Sequence, residues 1–204
     1  MHVMVRDTLF AEDLDILRAS LPPAPAPVAH PYLIVVSGLP GSGKTTFSRR
    51  LAQRLPVLLL ESDALRKALF PTPTHSLQES ARLFRAVHLL IEGFLKKGIP
   101  VILDATNLQE VHREPLYAIA ERNKAHLVLV WVEAPEEIVR QRLERRSRKE
   151  ETGDLSDATW EVYQRMRATA ERPRRPHFVV DTSRDITPAL DKVARLVRRL
   201  SRTG

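Results

Sequence analysis

A chain of 204 residues is long enough to bury a full core around one α/β domain, and its lack of cysteine excludes disulfides and thiolate zinc sites. No apolar run approaches the roughly 20 residues that span a bilayer. The opening MHVMVRDTLFAEDLDILRASL carries acids and no unbroken apolar stretch, so it does not read as a secretory leader and a cytoplasmic protein is expected. The net charge is +7, and 25 of the 32 basic residues are arginine. A planar guanidinium suits phosphate, but charge alone does not establish nucleic-acid binding.

Thr8 to Leu21 reads as an amphipathic helix, with Phe10, Leu14, Leu17 and Leu21 at helical spacing. PPAPAPVAHP follows, a semi-rigid extended linker. Residues 1–31 are therefore expected to form an arm, and residues 32–204 the main domain. From Tyr32 onward, short apolar runs predict strands at 32–37, 57–61, 100–105, 126–132 and 177–181. Helical patterns fill 44–54, 63–69, 76–97, 109–123, 135–149, 157–171 and 187–201. Nearly continuous apolar strands suit a parallel sheet covered on both faces. Strand–helix alternation then implies a doubly wound α/β fold, whose ligands sit at the carboxyl ends of the strands.

Four loops come into view at that edge. The first is Gly38-Leu39-Pro40-Gly41-Ser42-Gly43-Lys44-Thr45, followed by Thr46, which fits the phosphate-binding pattern G-x-x-x-x-G-K-[ST] between a strand and a helix. Its glycines let backbone N–H groups turn inward around anionic oxygens, and the helix start adds unpaired donors. Lys44 suits the β- and γ-phosphates of ATP, and Thr45 suits Mg²⁺.

The second loop opens LLLESDALRK. Asp63 and Arg66 are three apart and share a helix face. Asp63 reads as a general base for an attacking hydroxyl or as a helix cap, with Ser62 as the alternative cap. Arg66 reads as a clamp on an anionic acceptor or on the migrating phosphoryl group, or else as a surface arginine. In the third loop, Asp104 ends its strand and either holds Mg²⁺ through water or positions a cation such as Arg66. Thr106 and Asn107 follow as acceptor contacts, with helix capping the alternative for Asn107.

A lid-like segment, about 146–176, begins where Arg142 and Arg146 lie four apart near a helix end, with Arg148 and a Gly153-Asp154 turn beyond. Arginines there neutralise charge during phosphoryl transfer, or else simply complement the helix dipole. The fourth loop, with Thr182 and Arg184, lies where an adenine can rest. There is no NKxD or D-x-x-G of a guanine-nucleotide switch, and VILDAT carries one acid where a mechanical ATPase usually shows a pair.

Taken together, GLPGSGKTT, ESDALRK, DATN, the arginine-rich helix and GDLSDATWEVYQRM make residues 32–200 resemble the P-loop kinases of the polynucleotide-kinase and zeta-toxin type, AAA_33-like predicted ATP-dependent phosphotransferases. The resemblance implies a three-layer fold with a five-stranded parallel sheet in the order 2-3-1-4-5 and a helical lid. It implies ATP and Mg²⁺, Asp63 as base, Arg66 as acceptor or phosphoryl contact, Asp104 as the residue orienting Arg66, and Arg142 and Arg146 as lid arginines. The favoured acceptor is a polynucleotide 5′-hydroxyl, at the end of a single strand. A small-molecule kinase and an ATP-binding switch are the alternatives.

Overall fold

A computed structural model of the chain describes residues 2–147 and 158–202. Five strands, β1 (Tyr32–Ser37), β2 (Leu58–Glu61), β3 (Val101–Asp104), β4 (His126–Glu133) and β5 (Phe178–Asp181), form one parallel sheet in the order β2-β3-β1-β4-β5. This is the expected topology, and each strand begins within one residue of its expected start. Every residue of β1 is buried. Side chains alternate across a strand, and β1 shows this directly. Leu33 and Val35 enter the core on one face, and Tyr32, Ile34 and Val36 enter the core on the other.

The helices divide accordingly. The first core takes in residues of α3 (Ser62–Leu69), α4 (Leu77–Lys96) and α5 (Glu110–Arg122). The second takes in α2 (Lys44–Ala52) and α8 (Thr187–Leu200). A smaller cluster joins α6 (Glu136–Ser147) to α7 (Trp160–Arg167): Val139, Leu143 and Tyr163 pack with Trp160 and with Leu39 of the phosphate loop. Trp160 and Tyr163 stack at 4.8 Å between ring centroids.

α1 (His2–Ala19) starts six residues earlier than its apolar spacing indicates, since no proline or glycine interrupts residues 2–7. It packs against α3 and α4. Leu17 is fully buried in the first core, and the buried Asp13 accepts two hydrogen bonds from Arg82, the Nε one at 2.8 Å. The proline-rich linker then runs back to the sheet. Val28 N–H donates to Gly98 O at 2.8 Å, and His126 N–H donates to Pro31 O at 2.9 Å.

α7 is shorter than its sequence pattern. Thr159 caps its start, and beyond its end the Glu171 N–H is taken by Leu108 O at 2.7 Å, so a tertiary contact ends the helical path. The Gly153-Asp154 turn and Arg148 of the expected lid lie outside the described residues.

Candidate active site

The strand register fixes which residues meet at the carboxyl edge. Glu61 pairs with Asp104, and Asp104 pairs with Val36, one residue before the end of β1. The phosphate loop, the start of α3 and the loop after β3 therefore converge by topology alone.

In the phosphate loop, Gly41 (φ 74°) and Gly43 (φ 89°) adopt the left-handed backbone that the turn requires. Space is tight at both positions as well. A Cβ on Gly41 would meet Val139 Cγ1 at 2.9 Å, and one on Gly43 would meet Thr182 Oγ1 at 3.0 Å. α2 starts from Gly43 with no side-chain cap, so its first N–H groups are left for a ligand. Ser42 Oγ is buried with no hydrogen-bond partner among the described residues. An uncapped helix start, inward-turned glycines and an orphaned hydroxyl are what a polyphosphate would satisfy. Lys44 Nζ donates to Leu39 O at 2.9 Å, folded back across the loop.

The loop is braced from behind. Thr182 Oγ1 donates to Ser42 O at 2.6 Å. Arg142 donates to Thr182 Oγ1 at 2.8 Å, to Thr182 O at 2.9 Å and to Gly41 O at 3.3 Å. Arg142, expected as a lid arginine, thus touches the phosphate loop from α6. Its guanidinium donates to protein carbonyls and a hydroxyl there, because α6 lies directly against the loop at Gly41. Arg146 is one turn further along α6 and half-buried. Arg184 is exposed and pairs with Asp181 at 3.4 Å, and Thr46 is exposed beside the loop.

Asp104 is 4% exposed and hydrogen-bonds Thr45. Burial pushes its carboxyl up to about 6; Lys44 and Thr45 draw it down, while Glu61 and Asp63 add to the rise. Asp104 thus sits with Lys44 and Thr45, and Arg66 is held elsewhere. The Arg66 guanidinium makes a buried ion pair with Glu79 and a hydrogen bond to Ser80 Oγ at 3.3 Å. The expectation that Asp104 orients Arg66 is therefore corrected. α4 crosses next to α3 and brings its own carboxylate, which serves that arginine instead. Of the two expected roles for Asp104, the Mg²⁺-side position beside Thr45 fits. Among the described residues no three acidic or histidine side chains converge as a metal site by themselves.

Asp63 is half-buried in the first turn of α3. The cap position belongs to Glu61, with no side-chain capping bond, so neither Ser62 nor Asp63 serves as the N-cap. Glu61 is itself gripped by Arg49, at 2.6 and 2.8 Å. Asn107 is not a cap either, since Gln109 holds that position for α5. Asn107 has φ 39°, and its Nδ2 is buried without a partner among the described residues. The half-buried Thr106 precedes it, its carbonyl accepting from Gly38 N–H at 3.2 Å and so tying this loop to the phosphate loop.

Sequence reasoning missed Arg113. It is fully buried and donates to Glu110, at 2.8 Å through one nitrogen, to Asn107 O at 2.5 Å and to Glu171 O at 2.9 Å. One side chain thus links the Asn107 loop to the segment that follows α7. Its i,i+3 spacing from Glu110 was the available signal.

The family described as an AAA domain matches residues 33–173, more than half the chain. The chain belongs to this AAA-domain family. Among its relatives, the AAA-domain chain is 31% identical over 108 residues to the L-seryl-tRNA(Sec) kinase of Methanococcus maripaludis, covering 50% of this chain and 41% of that protein. It is 30% identical over 142 residues to a UPF0200 protein of Aeropyrum pernix, covering 64% of this chain and 70% of that protein. Chaetomium thermophilum Kti12, solved with ADP-AlF3, superposes with a TM-score of 0.66 at 24% identity, over 82% of this chain and 98% of that one. The fold is that of the P-loop kinases. No described helix is long and apolar enough to cross a membrane.

Proposed function

We propose that this domain is an ATP-dependent kinase that transfers the γ-phosphate to an acceptor hydroxyl. The observation that carries the reading is the convergence of Lys44, Thr45, Asp104 and Asp63 at one sheet edge, with Asp63 not engaged as a helix cap. Lys44 would leave Leu39 O for the phosphates, and Thr45 with Asp104 would hold the Mg²⁺ shell. In the transfer, the acceptor oxygen forms a bond to the γ-phosphorus and the bond to the β,γ-bridging oxygen breaks. The hydroxyl proton goes to Asp63, and ADP leaves with the bridging electron pair.

Of the acceptors expected from the sequence, a small-molecule alcohol is better supported than a polynucleotide 5′ end. A strand would need an open basic groove across Arg66, and Arg66 is 7% exposed.

The test is transfer of labelled γ-phosphate from ATP across nucleosides, sugars and 5′-hydroxyl oligonucleotides, with Asp63→Asn and Lys44→Ala alongside. Each variant is expected to lose on the order of 10²-fold or more in rate. Label released only to water under all conditions would overturn the kinase reading; full activity in Asp63→Asn would overturn the base assignment.

A further inference from the structure

We infer that the acceptor is a non-anionic alcohol, uncharged or amine-bearing, with no phosphate near its reacting hydroxyl. The inference rests on the kinase reading above and narrows its substrate class.

An anionic acceptor needs N–H donors that remain open to it. α3 and the segment leading into α4 carry one arginine, Arg66, and its side chain is only 9% exposed. One terminal nitrogen is paired with Glu79 and the other donates to Ser80 Oγ at 3.3 Å. Glu79 is itself locked in place. Its Oε2 accepts from Thr74 N–H at 2.6 Å and Thr74 Oγ1 at 2.8 Å, and its Oε1 accepts from His75 N–H at 3.2 Å. Turning Arg66 toward a substrate would strand a buried carboxylate. Burial pushes the Glu79 carboxyl up, but the bonds from Thr74, Arg66 and His75 outweigh it and hold it down at about 2. The Glu79 carboxylate is thus held in its charged form.

The rest of this stretch is electrically balanced. Residues 62–80 carry Asp63 and Glu79 against Arg66 and Lys67. The positive excess of the chain lies elsewhere, as on α8, where Lys192, Arg195, Arg198 and Arg199 face one Asp191 on the other side of the sheet. On the β3–α5 loop, the buried Asn107 Nδ2 is a neutral donor with no partner among the described residues. A neutral amide reads a hydroxyl oxygen, and leaving it unmatched inside the protein is costly.

The experiment compares acceptors sharing one reacting hydroxyl: nucleosides against nucleoside 3′-phosphates and 5′-hydroxyl oligonucleotides, and sugars and amino sugars against sugar phosphates. With the full chain, Mg²⁺ and ATP, an added phosphate is expected to lower kcat/KM by at least about tenfold. A phosphate-bearing member preferred over its parent would overturn the inference. The paired change Arg66→Leu with Glu79→Leu removes both charges together, which buried pairs commonly tolerate. Activity on the uncharged acceptor kept within about tenfold supports the inference, and loss beyond about 10²-fold with an unchanged Tm overturns it. If label passes only to water, the kinase reading fails separately. Calorimetric titration of the same acceptor pairs into protein loaded with a non-hydrolysable ATP analogue then decides the charge preference. Tighter binding of the uncharged member supports it; tighter binding of the phosphorylated member, or of neither, overturns it.

Discussion

Arg142 of α6 donates to both the hydroxyl and the carbonyl of Thr182, forty residues away at the end of β5, and Thr182 in turn donates to Ser42 O. Three segments distant in sequence thereby meet at the carbonyl side of the phosphate loop. Thr182→Val keeps the shape and removes the hydroxyl. It is expected to raise the ATP KM several-fold and to cost about 1–3 kcal/mol, because the bond donated to Ser42 O and the bond accepted from Arg142 are both lost. Arg142→Ala is expected to weaken ATP more strongly. Equilibrium binding of an ATP analogue checks both, and unchanged affinity in the two variants would remove the brace from the account.

Asp104 supplies a pH prediction for the metal-free, nucleotide-free protein. Burial raises its folded pKa to about 6, above the ordinary 3.8. A raised carboxyl disfavours the charged folded form, so its cost is fully present above pH 6 and disappears as pH falls toward 4. Asp104→Asn is therefore expected to be more stable than the parent at pH 8, by on the order of 1–3 kcal/mol. The two should converge near pH 4. Thermal unfolding from pH 4 to 8 measures this, and the same variant should lose kinase activity by at least about tenfold. A variant less stable than the parent at pH 8 would contradict the assignment.

Arg113 joins the Asn107 loop to Glu171 from a fully buried position. Arg113→Met leaves the buried Glu110 carboxylate without its partner and is expected to cost about 3–5 kcal/mol. Arg113→Met combined with Glu110→Gln should recover part of that stability, yet still show a raised acceptor KM, because the bonds to Asn107 O and Glu171 O stay broken. Chemical denaturation and steady-state kinetics on the two variants separate stability from loop positioning.

Leu17 is the deepest anchor of α1 in the main core. Leu17→Ala is expected to cost about 2–5 kcal/mol by leaving a cavity. The ATP KM should be unchanged, since α1 packs on α3 and α4 and Leu17 lies in the core that takes in those helices. A shift in midpoint denaturant concentration without a shift in KM is the expected result.

Several parts of the site were legible in the sequence because they rest on local chemistry. The run GSGK carries its own turn, and the carboxyl of Asp63 comes at the head of a helix that its neighbours already encode. The partners of the arginines were not legible. Asp104 is a plausible partner for Arg66 on spacing across a sheet edge, and only the crossing of α4 over α3 brings Glu79 to it. Arg142 reads as a lid residue from its helix, and only the seating of α6 against Gly41 turns it onto Thr182.

Sequence by itself determined the strand runs, the two-sided burial that makes the sheet parallel, the phosphate loop and the acid after β2. Each is set by neighbours within a few residues, through side-chain period and backbone freedom. Tertiary structure alone decided how the charges pair. An arginine side chain is long and reaches many positions, and with 32 basic and 25 acidic residues in the chain spacing cannot choose among them. Which carboxylate meets which guanidinium depends on how helix faces stack. Here that stacking pairs Arg66 with Glu79 and leaves Asp63 close enough to Asp104 to raise its carboxyl.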